Sequence, residues 1–359
     1  MAEELRNVFN QTFIEELIQA FQKEYPLMDG EAFRKLIFQE DWNGLALKQR
    51  MRKITVCLHE VLPQEYTEAL NILYKVAPQF SGGLSGIIFP DYVEQYGLEE
   101  WDESIKALAF FTSFSTSEFA VRPFLLKNQD RMLSQMIEWS IHPSEHLRRL
   151  ASEGSRPRLP WGLSVPSLKK NPEKTLPILI NLKEDESLYV RKSVANHLND
   201  ISYLAPDIVI EIAKAWKGKQ KRTDWIIQHA CRSLLKKGDA RALSLFGYQD
   251  DHTITIEKLT LGCDHITIGQ SIPFSFELYS ENALPVRVEY GIDFVKARGQ
   301  RHRKIFMIKK GEIKKGERQA IIREHSFQDL TTRKHYKGTH TLSIIVNGVV
   351  KATKDFQIN

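Results

Sequence analysis

Cysteine is scarce in this 359-residue chain, and the three present, Cys57, Cys231 and Cys263, lie far apart with no C-x-x-C spacing. That argues against a disulfide framework and a thiolate-rich metal site. Cys57 and Cys231 fall in apolar helical contexts and read as small core residues of a reduced, cytoplasmic protein. No eighteen apolar residues run together, so no membrane-spanning helix is expected. The first residues, MAEELRNVFNQTF, carry acids and no apolar run, which reads against a secretory leader. Three common chemistries lack their motifs: there is no G-x-x-x-x-G-K-[ST] loop, no G-x-G-x-x-G after a strand and no G-x-S-x-G elbow.

What is present belongs to a folded globular chain, 42% hydrophobic and 26% charged. Its length allows one large core or two ordinary ones. The net charge of +5 is modest but uneven. Residues 1–248 hold 32 basic and 32 acidic side chains, whereas 249–359 hold 18 and 13. Within the latter, 296–337 carries 14 Lys and Arg against four acids. Such a surplus suggests contact with a polyanion, although a solvated basic face is the plainer alternative.

The hydrophobic period divides the chain in two. Up to about Tyr248 apolar residues recur at helical spacing: Ile54, Val56, Cys57, His59 and Val61 close a helix before Pro63, and 65–76 begins a partner. Three later segments resemble one another, at 142–154, 185–200 and 223–239. Arg148, Arg191 and Gln228 are equivalent in them, at intervals of 43 and 37 residues. Two helices per unit with a period near forty is the HEAT type of repeat, in which each hairpin buries its apolar face on its neighbour. A non-repetitive helical bundle is the structural competitor. After Tyr248 the period becomes two, in short runs such as PFSFELYS and VRVEYGIDFV, and Asn347-Gly348 signals a tight hairpin. The predicted architecture is an all-α HEAT-like helical repeat solenoid over 1–248, followed by an all-β immunoglobulin-like sandwich over 252–359.

One metal-like pattern occurs, His142-Pro-Ser-Glu145-His146, which matches H-x-x-E-H. Pro143 marks a first turn and puts His142 at the cap, out of line with His146. No third ligand offers itself, so no metal is expected.

The informative stretch is 147–161, LRRLASEGSRPRLPW. Gly154 ends a helix, and Pro157 and Pro160 hold the following loop extended. Arg148 and Arg149 point about 100° apart, so one can enter the repeat while the other faces a groove. Glu153 lies four residues after Arg149 and could pair with it. Arginines, a carboxylate and the Trp161 indole together suit phosphates and a positively charged sugar or base. Equally, Arg149 and Glu153 could be an ordinary surface pair and Trp161 a core filler.

RRLASEGSRPRLPW, VRKSVANHLNDI and DWIIQHACRSLLKKGDARALSLFGY strongly resemble the DNA alkylation repair family of AlkD- and AlkC-type glycosylases. The S-R-P-R-L-P-W loop and the added C-terminal domain point to the AlkC branch. The resemblance implies excision of cationic N3-alkylated bases, 3-methyladenine and 3-methylcytosine, by a monofunctional glycosylase acting on double-stranded DNA. It implies Glu153, Asp200 and Glu118 as the carboxylates beside the lesion, and Trp161 against the damaged nucleotide. Read alone, Asp200 could instead cap a helix starting near 201–202, and Glu118 could be a surface acid. Arg148, Arg149, Arg156 and Arg158 would serve the DNA, Arg149 and Arg156 on flanking phosphates. The sandwich would grip the duplex through Arg298, Arg301, Arg303, Lys304, Lys309 and Lys310. Lys169, Lys170 and 214–222 would touch phosphate. No cofactor is implied, and a monomer in the nucleoid-associated bacterial cytoplasm is expected. The competing reading is a catalytically inactive relative that binds distorted or branched DNA. Retention of Glu118, Glu153, Trp161 and Asp200 together favours the enzyme over that reading, and over a scaffold for protein partners.

Overall fold

The computed structural model describes residues 5–330 and 334–359. The chain packs into two compact units, one of residues up to Val209 with Trp216–Ala230, the other of Ile210–Ala215 with Cys231–Asn359. Secondary structure divides the chain later than packing does: the helices Arg232–Lys237 and Ala240–Leu245 belong to the second unit, ahead of its first strand.

The first unit is built of helix pairs. Leu47–Val61 and Tyr66–Val76 form where the sequence pattern places them. The first, however, packs mainly on Gly30–Ile37 and Ile88–Tyr96 and the second on Gln11–Glu24 and Trp101–Phe111, rather than mainly on each other as the expected partners would. Gln129–Ser140 packs on Glu145–Gly154, and Leu176–Leu182 on Leu188–Leu204. The first helices of these pairs also touch one another, and so do the second, which continue on to Lys221–Ala230. That row arrangement is what stacking repeats produces.

The repeat shows in its hydrogen bonds as well. Arg148 Nη1 donates to the carbonyls of His142 (3.0 Å) and Pro143 (2.7 Å). Forty-three residues on, Arg191 Nη1 donates to those of Asp185 (2.9 Å) and Glu186 (2.8 Å). Each arginine thus satisfies carbonyls six and five residues before it, at the turn between paired helices, where backbone acceptors lack helical partners. Gln228, the third equivalent position, is half-buried. Asp200 caps nothing, because Leu188–Leu204 is one continuous helix.

The second unit contains the sandwich. Its strands are β1 (Ile254–Leu261), β2 (His265–Ile266), β3 (Ser271–Ser280), β4 (Leu284–Val295), β5 (Arg301–Ile313), β6 (Arg318–Ser326), β7 (Gly338–Val346) and β8 (Val349–Ile358). One sheet runs β1-β3-β6 and the other β2-β8-β7-β4-β5. Pairing is antiparallel except between β2 and β8. Alternate residues fill the core, Ile272, Phe274, Phe276 and Leu278 from β3 against Val288, Tyr290, Ile292 and Phe294 from β4. Asn347 and Gly348, with φ of +48° and +82°, turn β7 into β8 as that dipeptide predicts.

The long β5 lies at a sheet edge and carries much of the basic surplus. Arg301, Arg303 and Lys310 are exposed on it, and Arg298 is exposed in the turn before it. Lys304 and Lys309 are half-buried, Lys309 donating to Gln319 Oε1. Arg303 pairs with Asp293 at 2.7 Å. Lysines and arginines on an open edge also discourage strand-to-strand association, so the charge has a structural use too. Arg333, part of the same basic run, lies outside the described residues.

Candidate active site

The Glu145–Gly154 helix carries Arg148, Arg149 and Glu153 and leads into an irregular loop. Gly154 ends that helix where no side chain fits, since a Cβ there would lie 2.6 Å from Val121 Cγ2. Only glycine lets the helix end approach Val121–Lys127 so closely. Arg122, on that neighbouring helix and 1% exposed, fastens the loop. Its Nη1 donates to the carbonyls of Gly154 (2.9 Å) and Arg156 (2.7 Å), and its Nε to that of Leu163 (2.7 Å). Burial, then the charge of Arg156, pushes the Arg122 pKa down to about 10, which leaves it cationic at neutral pH.

Trp161 stands out from this fastened loop. The Gly162 N–H bonds to the Leu159 carbonyl at 3.2 Å, closing a turn with Pro160 and Trp161 at its centre. Trp161 takes φ of +61°, at the position glycine normally fills when proline precedes it in a type II turn. A bulky residue held there costs about 1–3 kcal/mol. Trp161 is nonetheless 61% exposed. It fills no core gap. The strained turn leaves the indole exposed to solvent.

Three carboxylates and two arginines pair with one another in the same unit. Arg156 donates from Nη1 to Glu153 Oε1 at 2.5 Å and from Nε to Asp200 Oδ2 at 2.8 Å, and all three residues are buried. Arg149 donates from Nη1 to Glu118 Oε2 at 2.8 Å, and the Thr116 hydroxyl donates to the same oxygen at 2.8 Å. The Arg149 guanidinium also lies 4.7 Å from the centre of the Tyr189 ring. Ser81, Gly82, Ser115, Thr116, Glu118, Arg149 and Tyr189 are among the residues lining a groove of about 580 Å³.

Burial opposes the charge on Arg149, yet the carboxylates of Glu118 and Glu153 outweigh it and hold the guanidinium above its usual value. Burial opposes Arg156 too, and Asp200 and Glu153 overcome it. For Asp200 the balance runs the other way: burial lifts its carboxyl above the usual carboxylate range despite Arg156 and Arg158. One cation is shared by two buried acids, so Asp200 is left partly uncompensated.

The registration of these groups comes from buried contacts between the second helices of neighbouring pairs. His197 is fully buried, its Nδ1 meeting the Ser152 carbonyl oxygen at 2.9 Å and its Nε2 the Thr175 hydroxyl at 3.0 Å. Ser193 donates to the Ser152 hydroxyl at 2.9 Å. These bonds set Leu188–Leu204 against Glu145–Gly154, and so Asp200 against Glu153. Burial pushes the His197 pKa down to about 3, so the ring is neutral and its role is to hold.

Comparison with known proteins places this arrangement. A family model described as the C-terminal Ig-like domain of uncharacterised protein YhaZ matches residues 255–359. The Bacillus subtilis (strain 168) protein recorded as uncharacterized protein YhaZ is 56% identical over 355 residues, 99% of each chain. The solved structure of Pseudomonas fluorescens alkylpurine DNA glycosylase AlkC, bound to DNA containing an abasic site analog, superposes with a TM-score of 0.96. That protein is 39% identical, across 99% of this chain and 100% of that one. The chain belongs to the AlkC family.

Within this AlkC-family chain the structure brings Glu118, Arg149, Glu153, Arg156 and Asp200 into two interlocked ion-pair groups. The expected Arg149–Glu153 hydrogen bond is replaced by Arg149–Glu118 and Arg156–Glu153. Arg149 and Arg156 therefore hold acids in place, whatever donors they keep for phosphate. Arg148, also expected on DNA, makes its contacts within the repeat. Besides its two carbonyls it grips Asp185 with Nε at 2.6 Å and Nη2 at 3.2 Å, which leaves its fork occupied. Arg158 is exposed, with its guanidinium 4.2 Å from the centre of the Tyr203 ring. The H-x-x-E-H residues diverge: His142 Nδ1 accepts from the Ser144 N–H, Glu145 accepts from the Ser187 hydroxyl, and His146 packs edge-on to Tyr189. Among the described residues no cluster of His, Cys, Asp and Glu suits a metal.

Sequence reasoning missed Arg122, Thr116, Tyr189 and His197. Arg122, Tyr189 and His197 act on partners far away in the chain, and Thr116, two residues before Glu118, follows no short motif, so no local signal marked them.

Proposed function

We propose that this chain is a DNA glycosylase that hydrolyses the N-glycosidic bond of cationic N3-alkylated bases, such as 3-methyladenine and 3-methylcytosine, in the first step of base excision repair. The observation that carries the reading is Arg156 spanning Glu153 and Asp200, with the Arg149–Glu118 pair beside them and the exposed Trp161 on the adjoining loop.

The chemistry suits this set of groups. Alkylation at a ring nitrogen makes the base cationic, so when the C1′–N bond breaks its electron pair neutralises the base. No general acid is required. Positive charge passes to the sugar, and carboxylates already fixed in a buried setting stabilise that oxocarbenium-like state without reorganising. Water then bonds to C1′ and gives up a proton, and a carboxylate is positioned to orient it and take that proton. Glu153 and Asp200 are assigned to these tasks, with Glu118 at the adjoining groove. Arg149 and Arg156 hold the acids in place. Trp161 rests against the damaged nucleotide.

Arg158, Lys169, Lys170 and the basic residues of 214–222 would meet phosphate. So would the basic sandwich, through Arg298, Arg301, Arg303, Lys304, Lys309 and Lys310. No lysine pairs with the three carboxylates among the described residues, which supports a monofunctional enzyme without a Schiff-base step. No helix of the described residues is long and apolar enough to cross a membrane. On this reading the enzyme is a cytoplasmic monomer acting on duplex DNA.

The test is release of free base from a duplex holding one 3-methyladenine or 3-methylcytosine. Release at catalytic enzyme levels is expected. Absence of release at stoichiometric protein, with DNA binding intact, would overturn the reading and favour an inactive binder of distorted DNA.

A further inference from the structure

We propose that Lys48 is a positioning residue for Trp161; the inference rests on the glycosylase reading for its kinetics but not for its geometry. Lys48 lies in the first turn of Leu47–Val61, more than a hundred residues before the loop it touches. Its ammonium donates to the Trp161 carbonyl at 3.0 Å and sits 4.6 Å from the centre of the Phe119 ring. Phe119 follows Glu118, the acid paired with Arg149. One cation therefore connects the turn that carries the indole with the segment that carries a site carboxylate. Lys48 makes no ion pair within 4.0 Å among the described residues, although Glu94 attracts it from farther off; the groups it touches are a ring face and a carbonyl oxygen.

Trp161 needs such a partner. A tryptophan at positive φ is strained, and the heading of its indole depends on the backbone at residue 161 holding that conformation. Arg122 fixes the loop at Gly154, Arg156 and Leu163 but not at Trp161 itself. Lys48 supplies the missing fastening. It acts on the reaction through Trp161 and need not touch DNA.

The test compares Lys48→Met and Lys48→Arg, each alone and with Trp161→Ala, in single-turnover excision at saturating enzyme. Lys48→Met is expected to slow excision about tenfold, as misplacement of a positioned group does. Lys48→Arg should recover most of the rate, since a longer cation still reaches the carbonyl. In the Trp161→Ala background Lys48→Met should have no further effect, and the salt dependence of DNA binding should be unchanged. An undiminished effect in that background, a salt slope lower by about one phosphate contact, or a borohydride-trapped DNA adduct lost in Lys48→Met would overturn the proposal. A readout independent of activity is the ¹⁹F resonance of 5-fluorotryptophan at position 161, assigned with Trp161→Phe. It should shift or broaden in Lys48→Met and be restored in Lys48→Arg. An unmoved resonance overturns the positioning role, whether or not the protein excises bases.

Discussion

Arg156 and Asp200 meet through a single buried hydrogen bond of 2.8 Å, from the Nε of the arginine to one carboxylate oxygen, while the other end of the guanidinium serves Glu153. Two acids thus depend on one cation. Arg156→Gln removes that cation and leaves like charges together in a buried setting. Asp200, which burial already lifts, should rise further, so the acid limb of the pH–rate profile should move to higher pH. Excision at neutral pH should fall about a hundredfold or more, the scale on which preorganised electrostatic groups act. Single-turnover rates between pH 5 and 9 check this; an unmoved acid limb would show that Arg156 does not govern the acids.

Asp200→Asn separates activity from stability. The folded-state pKa of Asp200 lies above the usual value, so its ionisation opposes folding once the pH exceeds that pKa. The amide keeps an acceptor for Arg156 Nε and removes the uncompensated charge. Thermal midpoints at neutral pH should therefore be equal to or above those of the parent. The difference should shrink as the pH falls through the folded-state pKa, where the parent's carboxyl takes up its proton. Excision should drop sharply with little loss of DNA binding, and Glu153→Gln should share the kinetic loss.

How much of this could be read from sequence depended on the range over which the signal acts. The repeat was legible because Arg148 and Arg191 recur at equivalent places in similar segments, and their identical bonding across 43 residues bears that out. The sandwich was legible from a period of two and one Asn-Gly turn. For the acids, resemblance picked out Glu118, Glu153 and Asp200, but spacing misjudged their partners. An i,i+4 rule joins Arg149 to Glu153, whereas the loop after Gly154 brings Arg156 back onto Glu153 and leaves Arg149 to Glu118. The same adjacency of Arg148 and Arg149 that signalled a groove could not say that Asp185 would occupy Arg148. Arg122 was invisible for a related reason. A lone arginine reads as surface, and only the folded chain places three orphan carbonyls around it.

Arg122→Met should be the costliest single change near the site. It leaves the carbonyls of Gly154, Arg156 and Leu163 without their donor in a buried place, a loss on the order of 2–4 kcal/mol. Urea denaturation should show a lower midpoint with an unchanged slope. The fraction that remains folded should still excise slowly, because the loop bearing Arg156 and Trp161 is no longer fastened. Parent-like stability would mean that water replaces the guanidinium there.

Trp161→Gly makes the opposite trade. Glycine adopts the positive φ of this turn without strain, which favours the folded state, while its freer unfolded chain partly offsets the gain. Little apolar contact is lost, since Trp161 is 61% exposed. The expected result is a stability unchanged or raised by up to about 1 kcal/mol, together with a large loss of excision. Trp161→Phe, which keeps an aromatic face and the backbone strain, should retain more activity than the glycine variant and none of its stability gain. If Trp161→Gly instead destabilises the protein, the indole supports the loop by packing, and its display to solvent is not what the strained turn is for.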